Sequence, residues 1–411
     1  MPTPARNSLA VIGAGPIGLE AALAAVDAGF DVHVFERGEV ASHPLAWGHV
    51  RMFTPWRMNV GPASLVHLER SGWTLPDPET CPTGRELAAG CLEPLAALPE
   101  LAGRIHTFAQ VVEIGRQGMV KGDAPGDPRR AGRPFRLLIR DHGGRENFVH
   151  AFHVIDATGV YGQPNWAGDG GIPARQELYL APQMSYHLDD VLGLGRERYA
   201  GKTTLVVGAG ASAATTVRDL ATLAGEAAGT AVTWVTRGAA DTLYPLEDTD
   251  ALPELRALRE RARALLAGAS PHVRHVGGAS VDGFEYNSAT HRYRVRLTFG
   301  DAARMEEADR VVVNAGFHPD DSLYRALQVR ISPVTQGPEG VARVVLASKR
   351  KPGEVEELGF DALSHPEPDF FVLGQKSYGS DNGFLLGTGF RQVTDVMARL
   401  ARTLAPAVPA R

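Results

Sequence analysis

Runs and alternations of apolar residues cut the chain into strand-sized and helix-sized pieces. Leu9 to Ile12 is an apolar run of strand length that breaks at Gly13-Ala14-Gly15. The alanine-rich amphipathic run to Val26 that follows predicts a helix, with Gly29 as its stop signal. Asp31 to Phe35 predicts a second strand ending at Glu36. Residues 37 to 60 fit neither period and read as an irregular loop carrying Trp47, His49, Arg51, Phe53, Trp56 and Arg57. Residues 62 to 101 are helical in pieces cut by prolines, and Thr83-Gly84-Arg85-Glu86 can begin one of them. His106 to Ile114, Phe135 to Arg140 and Asn147 to Phe152 have strand character, and Lys121 to Pro134 reads as a flexible loop between two of them. Val154-Ile155-Asp156 is a strand that runs into the small-residue turn Ala157-Thr158-Gly159.

The same order then returns. Tyr161 to Pro173, dense in Gly and Pro, marks a boundary. Thr203 to Val207 is an apolar strand, Gly208-Ala209-Gly210 breaks it, a helix runs to about Ala227, and Ala231 to Val235 is a strand. Pro253 to Ala267 predicts an arginine-rich helix whose charges form a solvated face. Residues 272–276, 280–286 and 291–299 are strand-like, and Arg310 to Val313 is a buried strand before Asn314-Ala315-Gly316. Pro366 to Leu373 ends at Gly374-Gln375, and a last helix spans Phe384 to about Leu404.

Both glycine breaks follow a strand and open a helix, which is the arrangement that holds a dinucleotide. In the first, Gly13 permits the tight turn, Gly15 lets backbone approach a pyrophosphate, and Gly18 lets helix pack closely on strand. The helix N-terminus then faces the phosphates, and Glu36 can bind a ribose 2′-hydroxyl. In the second, Gly208, Gly210 and Ala213 occupy the corresponding places. No acid ends its second strand, and Arg237 suits the 2′-phosphate of NADP, although a solvated surface arginine is the plain alternative.

Composition narrows the class. The 411 residues can hold two or three domains, and 44% apolar with 22% charged residues is ordinary for a globular protein. A net charge of -5 without long charged blocks gives no sign of a nucleic-acid partner. Neither a signal peptide nor a membrane span is expected, since Glu20 and Asp27 interrupt the long apolar region. Two cysteines, Cys81 and Cys91, suit a reducing cytoplasm and read as ordinary thiols.

The whole order resembles the two-dinucleotide-binding-domain flavoproteins. That resemblance implies an α/β fold in which an FAD-binding Rossmann-like domain, residues 1–165 and 308–411, receives an inserted NADPH-binding Rossmann-like domain, residues 166–307. Asp156 to Gly159 and Asn314 to Asp320 look like the family's two crossing motifs, and Gly374-Gln375 stands where Gly-Asp often meets the flavin ribityl chain. The final helix would point its N-terminus at the flavin pyrimidine. Disulfide reductases of this architecture need a cysteine pair at the flavin, and Cys81 and Cys91 are at neither usual place. Met184 to Asp190 partly resembles the fingerprint of class B flavin-dependent monooxygenases (the flavin-containing and Baeyer–Villiger types), with His187 at the fingerprint histidine and the flanking Phe, Gly and aromatic absent.

The activity this implies is a monooxygenase. NADPH reduces FAD, O2 adds to the reduced ring, and a C4a-(hydro)peroxyflavin oxygenates a small organic substrate. Arg51 is the candidate for stabilising negative charge, His49 for donating a proton, and Trp47 and Trp56 for walling the pocket. A plain structural histidine is the alternative for His187, and aromatics folded back onto the core are the alternative for the 47–59 loop. Two further classes stand beside it: an NAD(P)H-dependent reductase serving a quinone or redox partner, and a flavin-binding protein without turnover. A homodimer is left open.

Overall fold

A computed structural model of the chain describes residues 4–246, 252–348 and 354–404. It divides into two compact units, Met1–Gly162 with His318–Arg411, and Gln163–Phe317. The second unit therefore ends at 317 and not at 307. The reason is strand pairing, since Arg310–Val313 hydrogen-bonds in parallel to Thr203–Val207 and belongs to its sheet.

The first unit begins with β1 (Ser8–Ile12), helix α1 (Pro16–Asp27) and β2 (Asp31–Phe35), joined in parallel by β3 (Ile105–His106). An antiparallel sheet of β4 (Ala109–Arg116), β5 (Phe135–Asp141) and β6 (Glu146–Ala151) leads to β7 (His153–Asp156), which returns beside β1. Late in the chain β15 (Phe370–Val372) adds to β7, so the parallel order is β15-β7-β1-β2-β3. Chain order reverses between β1 and β7, and ligands of such sheets bind outside the carboxyl ends of strands at that point. Helix α1 is apolar nearly all round and buried, and the last helix packs against it.

Two charged side chains, Glu20 and Arg130, are interior. Glu20 on α1 is 2% exposed, and its carboxylate accepts from Ala63 N–H (2.9 Å), Ser64 N–H (2.8 Å) and Ser64 Oγ (2.6 Å). It caps helix α2 (Pro62–Arg70), where a carboxylate suits the helix N-terminus. In the 121–134 segment, expected to be a flexible loop, Arg130 is fully buried on Glu367 (2.6 Å), which also binds Arg116 (2.9 Å). That buried triad ties the segment to the unit.

The second unit repeats the plan. β8 (Thr203–Val207), helix α3 (Ala211–Glu226), β9 (Ala231–Val235), helix α4 (Pro253–Leu266) and β10 (Val273–Val276) come first. The antiparallel β11 (Ser280–Asn287), β12 (Arg292–Phe299) and β13 (Ala302–Ala308) follow. Then β14 (Arg310–Val313) returns beside β8, giving the parallel order β10-β9-β8-β14. Helices α5 (Glu339–Ala347) and α6 (Leu386–Leu404) complete the first unit, the latter starting two residues after the expected Phe384. Among the described residues no helix is long and apolar enough to cross a membrane.

Candidate cofactor and substrate sites

In each unit the glycine turn lies at the strand-order reversal. Gly13 has φ +100°, and a Cβ there would stand 2.8 Å from the Ala157 carbonyl oxygen of the turn after β7. Gly208 has φ +138°, and its Cβ would stand 2.2 Å from the Asn314 carbonyl oxygen of the turn after β14. No side chain fits either place, because two turns meet there back to back. Gly18 packs tighter still, with its Cβ 1.9 Å from Gly13 O, whereas Ala213, fully buried, fills the third position of the second turn.

Gly15 and Gly210 differ from these in an informative way. Each has extended backbone as an N-cap, and a Cβ on either would meet nothing within 4 Å. The protein itself does not require glycine there. The vacant space lies at a helix N-terminus with orphan N–H groups, and Pro16 at N1 has none to leave over. This cradle fits a pyrophosphate.

The strand ends distinguish the two cradles. Glu36 is fixed by two backbone donors, Ala14 N–H to Oε2 (2.8 Å) and Gly38 N–H to Oε1 (2.8 Å). Each oxygen keeps a lone pair, so the carboxylate can also accept from a ribose hydroxyl. Arg237 is exposed beside the second cradle and forms no ion pair among the described residues. Its turn is anchored by Thr236, whose Oγ1 donates to Gly238 O (2.7 Å) and lies 2.8 Å from His275 Nε2.

Several expected site residues turn out to be engaged elsewhere. The buried carboxylate of Asp156 pairs with Lys376 Nζ (2.6 Å) and accepts from Thr158 N–H (3.1 Å) and Thr158 Oγ1 (2.7 Å). Nothing local in the sequence signals Lys376, whose partner lies 220 positions away. Gly159 follows with φ +68°. Gly374, at φ +77°, donates its N–H to Gln392 Oε1 (2.7 Å), and Gln375 Nε2 donates to Asp381 O (2.9 Å). His187 lies in the second unit with its ring 5.7 Å from that of Phe317, and its carbonyl accepts from Asn314 Nδ2 (3.4 Å).

The 47–59 stretch is less irregular than its pattern suggests. A short helix at Ser42–Ala46 precedes it, another at Trp56–Asn59 ends it, and Arg51 bridges to Thr83. Trp47 packs on Gly84, where a Cβ would stand 2.5 Å from its ring, and does not wall the cleft. Trp56 does: with Arg51, Thr80, Cys81, Glu86 and Gly90 it lines a cleft of about 620 Å³. Gly90 sits in a π-helical turn, Ala88–Leu92, and a Cβ there would be 3.2 Å from the Trp56 ring. Such turns are frequent at functional sites. Arg51 is exposed, donates to the Cys81 carbonyl and stands 4.0 Å from Glu86. His49 has its Nε2 buried without a hydrogen-bond partner among the described residues. Burial, reinforced by the charge of Glu20, pushes the Cys91 thiol up to about 12.

A family model described as pyridine nucleotide-disulphide oxidoreductase matches residues 8–44, the first glycine turn and its flanking strands. No curated protein sequence matches the chain. Among solved structures, the chain is similar to the bacillithiol disulfide reductase of Bacillus cereus, with a TM-score of 0.68 and 18% identity over 96% of this chain and 99% of that one. It is similar to the FAD-bound cadaverine monooxygenase of desferrioxamine biosynthesis from Erwinia amylovora, with a TM-score of 0.65 and 14% identity over 100% and 99%. The ornithine N-hydroxylase of Kutzneria sp. 744 gives a TM-score of 0.62 and 17% identity over 97% and 100%. At these identities the likeness is one of fold, and the chain has the fold of the two-dinucleotide-binding-domain flavoproteins.

Proposed function

We propose that the chain is an FAD- and NADPH-dependent oxidoreductase that acts as a monooxygenase on a small organic substrate. The first cradle, Gly13, Gly15, Gly18 and Glu36, would hold FAD; the second, Gly208, Gly210, Ala213 and Arg237, would hold NADPH. Bound FAD supplies two-electron redox chemistry and reactivity towards O2. The chain contributes orientation and electrostatics. Glu36 holds a ribose, the α1 N-terminus holds phosphate, and Arg237 offers a bidentate cation to a 2′-phosphate. Arg51 brings positive charge to the cleft beside Trp56, and His49, whose Nε2 is buried with no hydrogen-bond partner among the described residues, stays the candidate proton donor.

The observation that favours oxygen chemistry over a relay between two cysteines of this chain is the burial of Cys91. Its side chain is 1% exposed, and burial pushes the thiol's pKa up, away from the thiolate that relays electrons. The chain has two cysteines, so an inert Cys91 leaves Cys81 without a cysteine of this chain to form a redox pair. Two of the similar structures are by name amine-directed oxygenases, and Glu86 at the cleft can accept from an ammonium group, so primary amines are the first substrates to try.

The test follows NADPH oxidation by flavin-loaded protein with O2, with amines, and with a quinone under anaerobic conditions. Amine-dependent O2 uptake with an oxygenated product supports the proposal. Fast quinone reduction with no oxygenated product means a reductase. The Cys81→Ser/Cys91→Ala variant should keep NADPH oxidation within about twofold of wild type; a loss with flavin retained would reinstate a thiol relay.

A further inference from the structure

The orientation of the second glycine turn is set by two aromatic side chains outside the glycine pattern. Trp234 Nε1 donates to the Gly208 carbonyl (2.9 Å), and the Tyr244 hydroxyl donates to the Gly210 carbonyl (3.2 Å). In a trans peptide, the carbonyl of one residue and the N–H of the next point in opposite directions. Pinning these two carbonyls to the aromatic side therefore aims the Ala209 and Ala211 N–H groups to the other side. The turn itself leaves room for a ligand, since a Gly210 Cβ would meet nothing within 4 Å. The Gly210 carbonyl also accepts from Ala214 N–H (3.1 Å), so Tyr244 grips the first turn of α3 itself.

The clamp is rigid. The two rings lie 5.8 Å apart, with Trp234 fully buried and Tyr244 9% exposed. His275 meets Trp234 edge-on at 6.0 Å. Because Thr236 Oγ1 gives its proton to Gly238 O, His275 must donate from Nε2 to Thr236, which extends the scaffold beneath Arg237. Tyr244 holds φ +52°, a conformation that a bulky L residue keeps only where its surroundings over-determine it. Burial raises the phenol's pKa, so the hydroxyl stays a donor through the neutral range. The first turn is built differently: there Ala14 N–H is taken by Glu36, whereas no side chain among the described residues accepts from Ala209.

We infer that Tyr244 is a positioning residue of the second cradle: through the Gly210 carbonyl it aims the turn's N–H groups at the pyrophosphate of a nicotinamide coenzyme. It thereby sets affinity for the pyrophosphate and leaves recognition of the adenosine 2′-phosphate to Arg237. The inference rests on the coenzyme reading above.

The experiment titrates flavin-loaded wild type, Tyr244→Phe and Arg237→Ala with NADP+ and with adenosine 2′-monophosphate, which has no pyrophosphate, by calorimetry. Tyr244→Phe loses one hydrogen bond and should weaken NADP+ by about three- to tenfold and the monophosphate by less than about twofold. Trp234→Phe, which frees the other carbonyl, should show the same split and serves if Tyr244→Phe folds poorly. Equal weakening of both ligands, no change in either, or tighter NADP+ binding would overturn the inference; the last would mean that the tyrosine covers the cradle. If wild type binds NADP+ and Arg237→Ala weakens it while Tyr244→Phe does not, the coenzyme reading survives and this inference alone fails. If wild type binds neither ligand, both fall.

Discussion

Replacing Lys376 by methionine removes a buried cation and leaves its partner behind. Lys376 and Asp156 have side chains 1% and 0% exposed, 2.6 Å apart. Lys376 Nζ also donates to Thr158 Oγ1 (3.1 Å) and lies 5.1 Å from the centre of the Tyr324 ring. Methionine matches the apolar stem and leaves the Asp156 carboxylate with only the two Thr158 donors. Breaking a buried pair from one side costs about 3–5 kcal/mol, because the remaining charge has no water to turn to. Removing both charges is far cheaper, so Lys376→Met/Asp156→Asn should lie within about 1 kcal/mol of wild type, with the asparagine oxygen still accepting from Thr158. Urea denaturation of flavin-free protein measures this without ligand linkage. The single variant should also bind flavin more weakly, since Thr158 stands beside the Ala157 carbonyl that backs Gly13. A single variant within about 1 kcal/mol of wild type, or a double variant no better than the single, would refute the reasoning.

Three further outcomes are expected. Gly15→Val puts a side chain into space the protein leaves open, so the flavin-free thermal midpoint should hold while flavin is lost on dialysis; retained yellow protein would exclude this cradle as the flavin site. Arg237→Ala should raise the apparent KM for NADPH by roughly ten- to a hundredfold and leave NADH nearly unchanged, a charge-assisted bond contributing about 1.5–3 kcal/mol; equal losses with both coenzymes would make the arginine structural. Burial lowers the His365 pKa from 6.5 to about 4, so the unfolded chain takes up that proton first on acidification. Its stability contribution is full above about pH 6.5, is lost between there and about pH 4, and is capped at about 3 kcal/mol; urea titrations of His365→Phe should show a correspondingly flatter pH dependence over that window.

What the sequence alone determined is the local part: the two strand–glycine–helix turns, their reversal-point loops, and the contrast between Glu36 and Arg237. These follow from spacing within a few dozen residues, where strand and helix periods and the steric needs of a tight turn leave few alternatives. The tertiary structure decided what depends on partners distant in sequence. Asp156 reads as part of a cofactor motif, and only the fold brings Lys376 beside it; Glu20 reads as a break in an apolar run until the start of α2 folds onto it. The 121–134 segment reads as a mobile loop until Arg130 finds Glu367, 237 residues on. Two tryptophans nine positions apart look equivalent in the chain, yet Trp47 is spent on Gly84 and Trp56 lines the cleft. Pattern reports which residues are apolar or charged, whereas burial and pairing are set by which surfaces the sheets bring together.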